Sequence, residues 1–224
     1  MTKVIPGILT GSLRDAQAKF DALKGLTDTV HLDICDGRFV SNKSIGASEV
    51  KKIKTDLDYN LHLMITLDAD QHFAFAQTRA RSLIIYPKAI SNLERAILGI
   101  HDSGKKVGVA LDIEEEPELI KEYLGRIDFI LILGVPSGFA GQSFHPEILQ
   151  KIPKLRSYKF DVSVGVDGGM RPGTARLAAE VGADFIVSAS YVWDVKDPAQ
   201  AIKDLEKDFE VGHKGRQNHL GRHL

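Results

Sequence analysis

The sequence predicts an α/β fold, a single (β/α)8 TIM barrel, on three observations. Eight short apolar runs are each followed by a stretch whose apolar residues recur at helical spacing. Several of the runs are apolar without alternation, as parallel strands covered on both faces require. The length, 224 residues, suits one barrel of this kind. A doubly wound open sheet is the alternative. It generally uses fewer βα units, and no GxGxxG follows the first run here.

The predicted strands, in order, are 4–9 (VIPGIL), 29–35 (TVHLDIC), 59–64 (YNLHLM), 82–86 (SLIIY), 106–112 (KVGVALD), 127–135 (IDFILILGV), 162–166 (VSVGV) and 184–190 (DFIVSAS). After the first strand, Ala16, Phe20 and Leu23 form a helical stripe. After the fourth, Leu93, Ile97 and Ile100 form another, with Ser91 and Glu94 as a capping box and Gly104 as terminator. Glu114–Glu116 precede a helix and place negative charge near its positive end. Ile148, Ile152 and Leu155 follow the sixth strand as a third stripe. Gly182 stops the LAAEV stripe after the seventh. After the eighth, Asp197 and Pro198 read as N-cap and first helical residue ahead of Ile202, Leu205 and Phe209. The barrel domain is expected to occupy 1–210. The last segment, 211–224 (VGHKGRQNHLGRHL), loses the apolar pattern and turns basic, so a mobile tail is expected there. Its His213, His219 and His223 read as solvated residues rather than a metal site.

Composition narrows the function classes. Hydrophobic residues are 43% and charged residues 26%, with a net charge of −1. That is an ordinary globular balance with no basic footprint for nucleic acid. The longest apolar runs, such as 129–133, are too short to span a bilayer, so no membrane partner is expected. The N-terminus enters a strand almost at once without a charged-then-apolar leader pattern. The lone Cys35 excludes an intrachain disulfide and a Cys-rich zinc site. The expected compartment is cytoplasmic and the expected partner a small molecule.

Four polar residues stand at the ends of predicted strands: His31, Asp33, His62 and Asp167. His31 and Asp33 are two apart, so they point the same way while Leu32 points to the other face. In a barrel, such strand ends converge on one mouth. A single strand histidine reads as readily as a hydrogen-bonded core group, but four ligand-type residues at equivalent ends read as a site. Two imidazoles and two carboxylates can hold one divalent metal ion, with Zn, Fe, Mn and Co all compatible. They can also leave a carboxylate on either side of a substrate carbon, the equipment for moving a proton beside a carbonyl. A second constellation is glycine-rich: 138–142 (GFAGQ), 167–169 (DGG) and the Ala189–Ser190 pair. Exposed backbone N–H groups in such loops cradle phosphate, and the loops after the last two strands are its usual place in this fold.

These segments together resemble the ribulose-phosphate 3-epimerase family. HLDICDGRFVSN (31–42) resembles its strand motif His-x-Asp-x-Met-Asp-Gly-x-Phe-Val-Pro-Asn, and LHLMI (61–65) its His-Leu-Met strand. GFAGQSF with HPEILQKIPKLR (138–156) resembles its Gly-Phe-Gly-Gly-Gln loop and helix, and VDGGMRPGTARLAAEVGADFIV (166–187) its penultimate βα unit. The resemblance covers most of the chain, in order. It implies a TIM barrel of the ribulose-phosphate-binding type and an isomerase of carbohydrate metabolism, a metal-dependent epimerase of pentulose 5-phosphates in the pentose phosphate pathway. It implies that His31, Asp33, His62 and Asp167 bind the metal and that Asp33 and Asp167 are the acid/base pair. Substrate and phosphate contacts are implied for Gly7, His62, Met64, Gly138, Phe139, Ala140, Gly141, Gly168, Gly169, Ala189 and Ser190. A homo-oligomer is implied as well.

The chain departs from that pattern close to the site. Gly7 stands for the family's serine, Cys35 and Leu133 for methionines, and Ala140 and Ala189 for glycines. Tyr86-Pro87-Lys88-Ala89 replaces His-x-Glu-Ala, and Gly134-Val135-Pro136-Ser137 replaces Thr-Val-Glu-Pro. Cys35 reads as an apolar filler before a metal or redox thiol, and Lys88 as a solvated loop lysine or a contact for a substrate anion. The expected reaction is D-ribulose 5-phosphate to D-xylulose 5-phosphate. Two alternatives stand beside it: another ketose phosphate such as a hexulose 6-phosphate, and a catalytically silent sugar-phosphate-binding barrel.

Overall fold

A computed structural model of the chain describes residues 3–66, 71–139 and 141–220. Eight parallel strands close into a barrel in sequence order. They are β1 (Val4–Ile8), β2 (Thr29–Cys35), β3 (Asp58–Met64), β4 (Ser82–Ile85), β5 (Lys106–Leu111), β6 (Phe129–Leu133), β7 (Ser163–Asp167) and β8 (Phe185–Ser188). Each predicted strand is present, with its ends within two residues of expectation. The helices are α1 (Leu13–Leu23), α2 (Ala47–Val50), α3 (Gln71–Ala76), α4 (Leu93–Asp102), α5 (Lys151–Tyr158), α6 (Thr174–Val181), α7 (Ser190–Trp193) and α8 (Pro198–Leu220). Among the described residues no helix is long and apolar enough to cross a membrane.

Alternation along the strands divides the apolar residues into two cores. Leu32, Leu61, Leu63, Val107, Ile130 and Ile132 face outward beneath Phe20, Ile97, Ile152, Leu205 and Phe209 of the helices. Ile5, Ile84, Ala110, Leu131, Phe185 and Val187 fill the interior. The interior packs by pairing large with small. A Cβ on Gly108 would lie 2.5 Å from the Phe129 ring, and one on Gly165 would lie 2.2 Å from the Phe185 ring. The two rings meet edge to face with centroids 5.8 Å apart. Glycine at those positions is therefore required by space.

Several boundaries differ from the sequence reading for local reasons. The N-cap of α4 is Asn92, whose Oδ1 accepts from Arg95 N at 2.9 Å, not Ser91. Glu94 pairs with Arg126 instead of closing a capping box. Pro146 begins a 3₁₀ segment, Pro146–Gln150, so Ile148 precedes α5 rather than opening it. The glutamate run leads into another 3₁₀ segment, Pro117–Tyr123. Asp197 caps α8 as expected, its Oδ1 accepting from Ala199 N and Gln200 N. The segment from 211 is not irregular, because α8 continues to Leu220. Gly212 is the reason the apolar pattern misleads. Its missing side chain lets α8 lie against α6, where a Cβ would come within 2.4 Å of the Arg176 carbonyl oxygen. The His213 ring packs edge-on against Phe209, with centroids 4.8 Å apart. His223 and the His219 side chain lie outside the described residues.

Gly165→Ala is expected to cost about 1–3 kcal/mol by overpacking the interior. Urea unfolding checks this, and adding Phe185→Leu should recover much of the loss by returning the space.

Candidate active site

Two strands deliver three of the four predicted ligands. In the β2–β3 register, Asp33 lies opposite His62, and His31 projects inward one pleat below Asp33. Asp167 is the last residue of β7 and comes in from the far side of the ring. One ligand atom from each of the four lies within 4.8 Å of every other. All four side chains are buried. His62 Nδ1 is 2.9 Å from Asp33 Oδ1 and 3.6 Å from Asp167 Oδ2. His31 Nε2 is 3.3 Å from Asp33 Oδ1 and 3.6 Å from Asp167 Oδ2.

Neither ring nitrogen of His31 has a hydrogen-bond partner. Leaving a buried polar nitrogen without a partner costs free energy, as does gathering two carboxylates out of water. A divalent cation at the point where the two nitrogens and two oxygens converge relieves both costs. The donor set therefore fits a metal ion, and its mixed imidazole and carboxylate chemistry suits several divalent metals.

The two carboxylates are not equivalent. Burial works against ionisation of Asp33, but the His31 and His62 imidazoles beside it, the latter hydrogen-bonded to it, outweigh burial and hold the carboxyl well below the usual range. Asp167 is raised, because burial dominates and the Asp33 charge adds to it, against the opposing pull of His31 and His62. Beside them, burial and the charges of Asp33 and Asp36 push the Cys35 thiol up to about 12. It stays protonated and packs among Met64 and Leu133 as an apolar filler.

A cleft of about 510 Å³, counting its open mouth, rises from the cluster. Asp33, His62, Met64, Gly138, Phe139, Gly141, Asp167, Gly168, Gly169, Ala189 and Ser190 all line it, so the structure brings these predicted residues together. His31 lies beneath its floor, and Ala140 falls outside the described residues. Gly168 and Gly169 have φ of 91° and 69°, a conformation that disfavours side chains, and their Cβ atoms would run into Val135 and Phe144 at 2.5 and 2.8 Å. Asn42 Nδ2 donates to Gly138 O at 3.0 Å, and Gln142 Nε2 donates to Pro136 O and Phe139 O, which ties down the 136–142 loop. Gly7 reaches the cleft only indirectly. Its Cβ would lie 3.1 Å from the Cβ of Ala189 on the neighbouring strand end, and its carbonyl accepts from Trp193 Nε1 at 2.7 Å.

The sequence reading named Tyr86 as a departure where the family has a histidine but gave this polar group on the β4 side no role. Tyr86 is fully buried, its hydroxyl is 3.0 Å from His62 Nε2, and its ring stacks on the imidazole. Burial, with the charges of Asp112, Asp167 and Asp33, holds the phenol well above its ordinary pKa, so it is neutral. Ser137 Oγ donates to Asp112 Oδ2 at 2.8 Å, and Lys88 Nζ donates to the same oxygen at 2.8 Å. Lys88 is thus paired within the chain. The sequence holds two signals for it: Tyr86 stands where the family has a histidine, and it directly follows β4, level with the other strand-end residues.

Comparison with known proteins gives the same picture. The family model for the ribulose-phosphate 3 epimerase family matches residues 3–193. The chain is 34% identical to a ribulose-phosphate 3-epimerase of Bacillus subtilis (strain 168), over 92% of this chain and 98% of the relative. It is 31% identical to the cytoplasmic isoform of Oryza sativa subsp. japonica, over 93% and 94%. In fold it is similar to a 3-hexulose-6-phosphate synthase, with a TM-score of 0.72 at 21% identity over 92% of this chain and 99% of the other. It is also similar to KGPDC from Streptococcus mutans, with a TM-score of 0.72 at 16% identity over 94% and 98%. The four-residue cluster thus sits in a barrel matched along nearly its whole length by one set of isomerases, and the chain belongs to the ribulose-phosphate 3-epimerase family.

Proposed function

We propose that the chain inverts C3 of a ketose phosphate, converting D-ribulose 5-phosphate to D-xylulose 5-phosphate by proton transfer through an enediolate. The observation that carries this reading is the pair of buried carboxylates, Asp33 and Asp167, which enter one cluster from β2 and β7 with environments that drive their proton affinities apart. Inversion at a carbon needs one group to remove a proton from one face and another to return a proton to the opposite face. Asp33 and Asp167 take these two roles and exchange them when the reaction runs in reverse. His31 and His62, with the two carboxylates, would hold the divalent ion. When bound, that ion supplies Lewis-acid stabilisation of negative charge developing on the substrate's C2 and C3 oxygens.

The phosphate sits against the loops holding Gly138, Gly141, Gly168, Gly169 and Ser190, where backbone N–H groups supply donors. Met64 and Leu133 give the reacting carbons an apolar wall that excludes water. The substitutions at positions 7 and 189 compensate each other. The methyl present on Ala189 fills the space a side chain on residue 7 would need. Across this strand pair the exchange of a serine–glycine pair for glycine–alanine changes the side-chain volume only by one hydroxyl.

The direct test is proton exchange. Metal-replete protein incubated with ribulose 5-phosphate in D₂O should yield xylulose 5-phosphate deuterated at C3, and a chelator should abolish it. No exchange with metal bound would point to another sugar phosphate or to a silent barrel. Asp167→Asn should lower turnover by roughly 10³-fold with unchanged urea unfolding; near-normal turnover would sink the two-carboxylate reading. Gly7→Ser alone should cost about 1 kcal/mol, and Ala189→Gly added to it should remove most of that cost in the same unfolding assay.

A further inference from the structure

We propose that Tyr86 is a positioning residue, whose hydroxyl accepts from His62 Nε2 and so turns the Nδ1 lone pair of that imidazole onto the metal. The proposal rests on the metal-site reading above. A neutral imidazole carries one proton, and the hydrogen bond made by one nitrogen decides the chemistry of the other. His62 has a partner at each end. Nδ1 faces Asp33 Oδ1 at 2.9 Å and Asp167 Oδ2 at 3.6 Å, and Nε2 faces the Tyr86 oxygen at 3.0 Å. Two arrangements follow, one without a cation and one with it. Without a cation, the ionised Asp33 only accepts, so Nδ1–H donates to it and Tyr86 donates to Nε2. With a cation at the cluster, Nδ1 would give its lone pair to the ion and Nε2–H would donate to Tyr86.

The groups behind Tyr86 make the second arrangement available once a cation replaces the Nδ1 proton. Asp112 accepts from Lys88 and from the backbone N–H of Ile113, and these hold its carboxyl ionised against burial. An ionised carboxylate only accepts, so the single proton of Ser137 goes to Asp112 at 2.8 Å. That leaves the Ser137 oxygen as an acceptor beside the phenol, which it neighbours. The phenol proton turns toward Ser137, and the phenol oxygen is free to receive Nε2–H. The order Lys88, Asp112, Ser137, Tyr86, His62 is a line of donors and acceptors with one consistent direction, from a surface ion pair to the metal cluster. Imidazole ligands generally give their second N–H to an outer partner, and loss of that partner costs roughly 10–100-fold in metal affinity. Here a phenol takes the place usually held by a carboxylate or carbonyl.

The test uses the full chain and Co²⁺, titrated in competition with a chromophoric chelator. Tyr86→Phe keeps the ring that stacks on His62 and removes only the hydroxyl. Its Co²⁺ affinity should fall roughly 10–100-fold. Ser137→Ala, at a half-buried position, should produce a smaller loss that disappears in the Tyr86→Phe background, because the two act as one unit. Long-range ¹H–¹⁵N spectra of the zinc-loaded protein should show His62 protonated at Nε2. Undiminished affinity in both variants, strictly additive losses, or a protonated Nδ1 in the zinc-loaded protein would overturn the proposal while leaving the metal site standing. No Co²⁺ binding by the unaltered chain would overturn the metal reading and this proposal with it.

Discussion

Four ionisable side chains share a buried space less than 5 Å across, and the rest of the barrel's mouth is arranged around that fact. Two carboxylates would repel each other if merely placed together, and the His31 imidazole would be left with unmet nitrogens. Holding them takes strands that cannot slide. The β2–β3 ladder is in register along its whole length from Thr29 and Asp58 to Cys35 and Met64, and this length fixes His31, Asp33 and His62 as one rigid unit. Asp167 is brought in by β7, whose pairing with β6 at Leu133 sets its height. A site on strands is held more firmly than one on loops, which suits chemistry that depends on where a carboxylate oxygen stands relative to a single carbon.

Much of this is legible in the sequence, for a physical reason. Parallel strands buried on both faces leave a strong apolar signature, and a polar residue at the end of one stands out against it. His31, Asp33, His62 and Asp167 are visible in that way, and so are the glycines that line the cleft. Tyr86 is visible only as a departure from the family's histidine; its role is not, because an aromatic residue closing an apolar run looks like core, and Ser137 and Asp112 behind it come from two other loops. Local competition hides other details. Asn92 outcompetes Ser91 as a cap through one side-chain hydrogen bond, and Pro146 tightens the first turn before α5. Gly212 makes the end of α8 look irregular by removing an apolar residue where two helices touch.

The departures from the family pattern also acquire physical meaning in three dimensions. Taken singly along the sequence, a glycine at 7 and an alanine at 189 each suggest a changed pocket. Side by side on β1 and at the end of β8, they are one exchange of volume across a strand pair. Lys88, a charge reversal against the family pattern, likewise finds its counterpart within the chain, in Asp112 on the next loop. Substitutions that arrive in such complementary sets alter the side chains of a site without dismantling its shape.

The packing of Phe129 against Phe185 over Gly108 and Gly165 has a consequence for traffic through the enzyme. With those rings and Ile5, Leu131 and Val187 closing the interior below, the reacting centre communicates with solvent through the loop-lined end alone. On the function proposed above, reactant and product would differ only in the hand of one carbon and would use the same doorway on the way in and out. Neither can be expelled by being displaced from behind. A single entrance adds no bias of its own, so on that reading the barrel would work as a two-way valve, with net flux set by the concentrations outside.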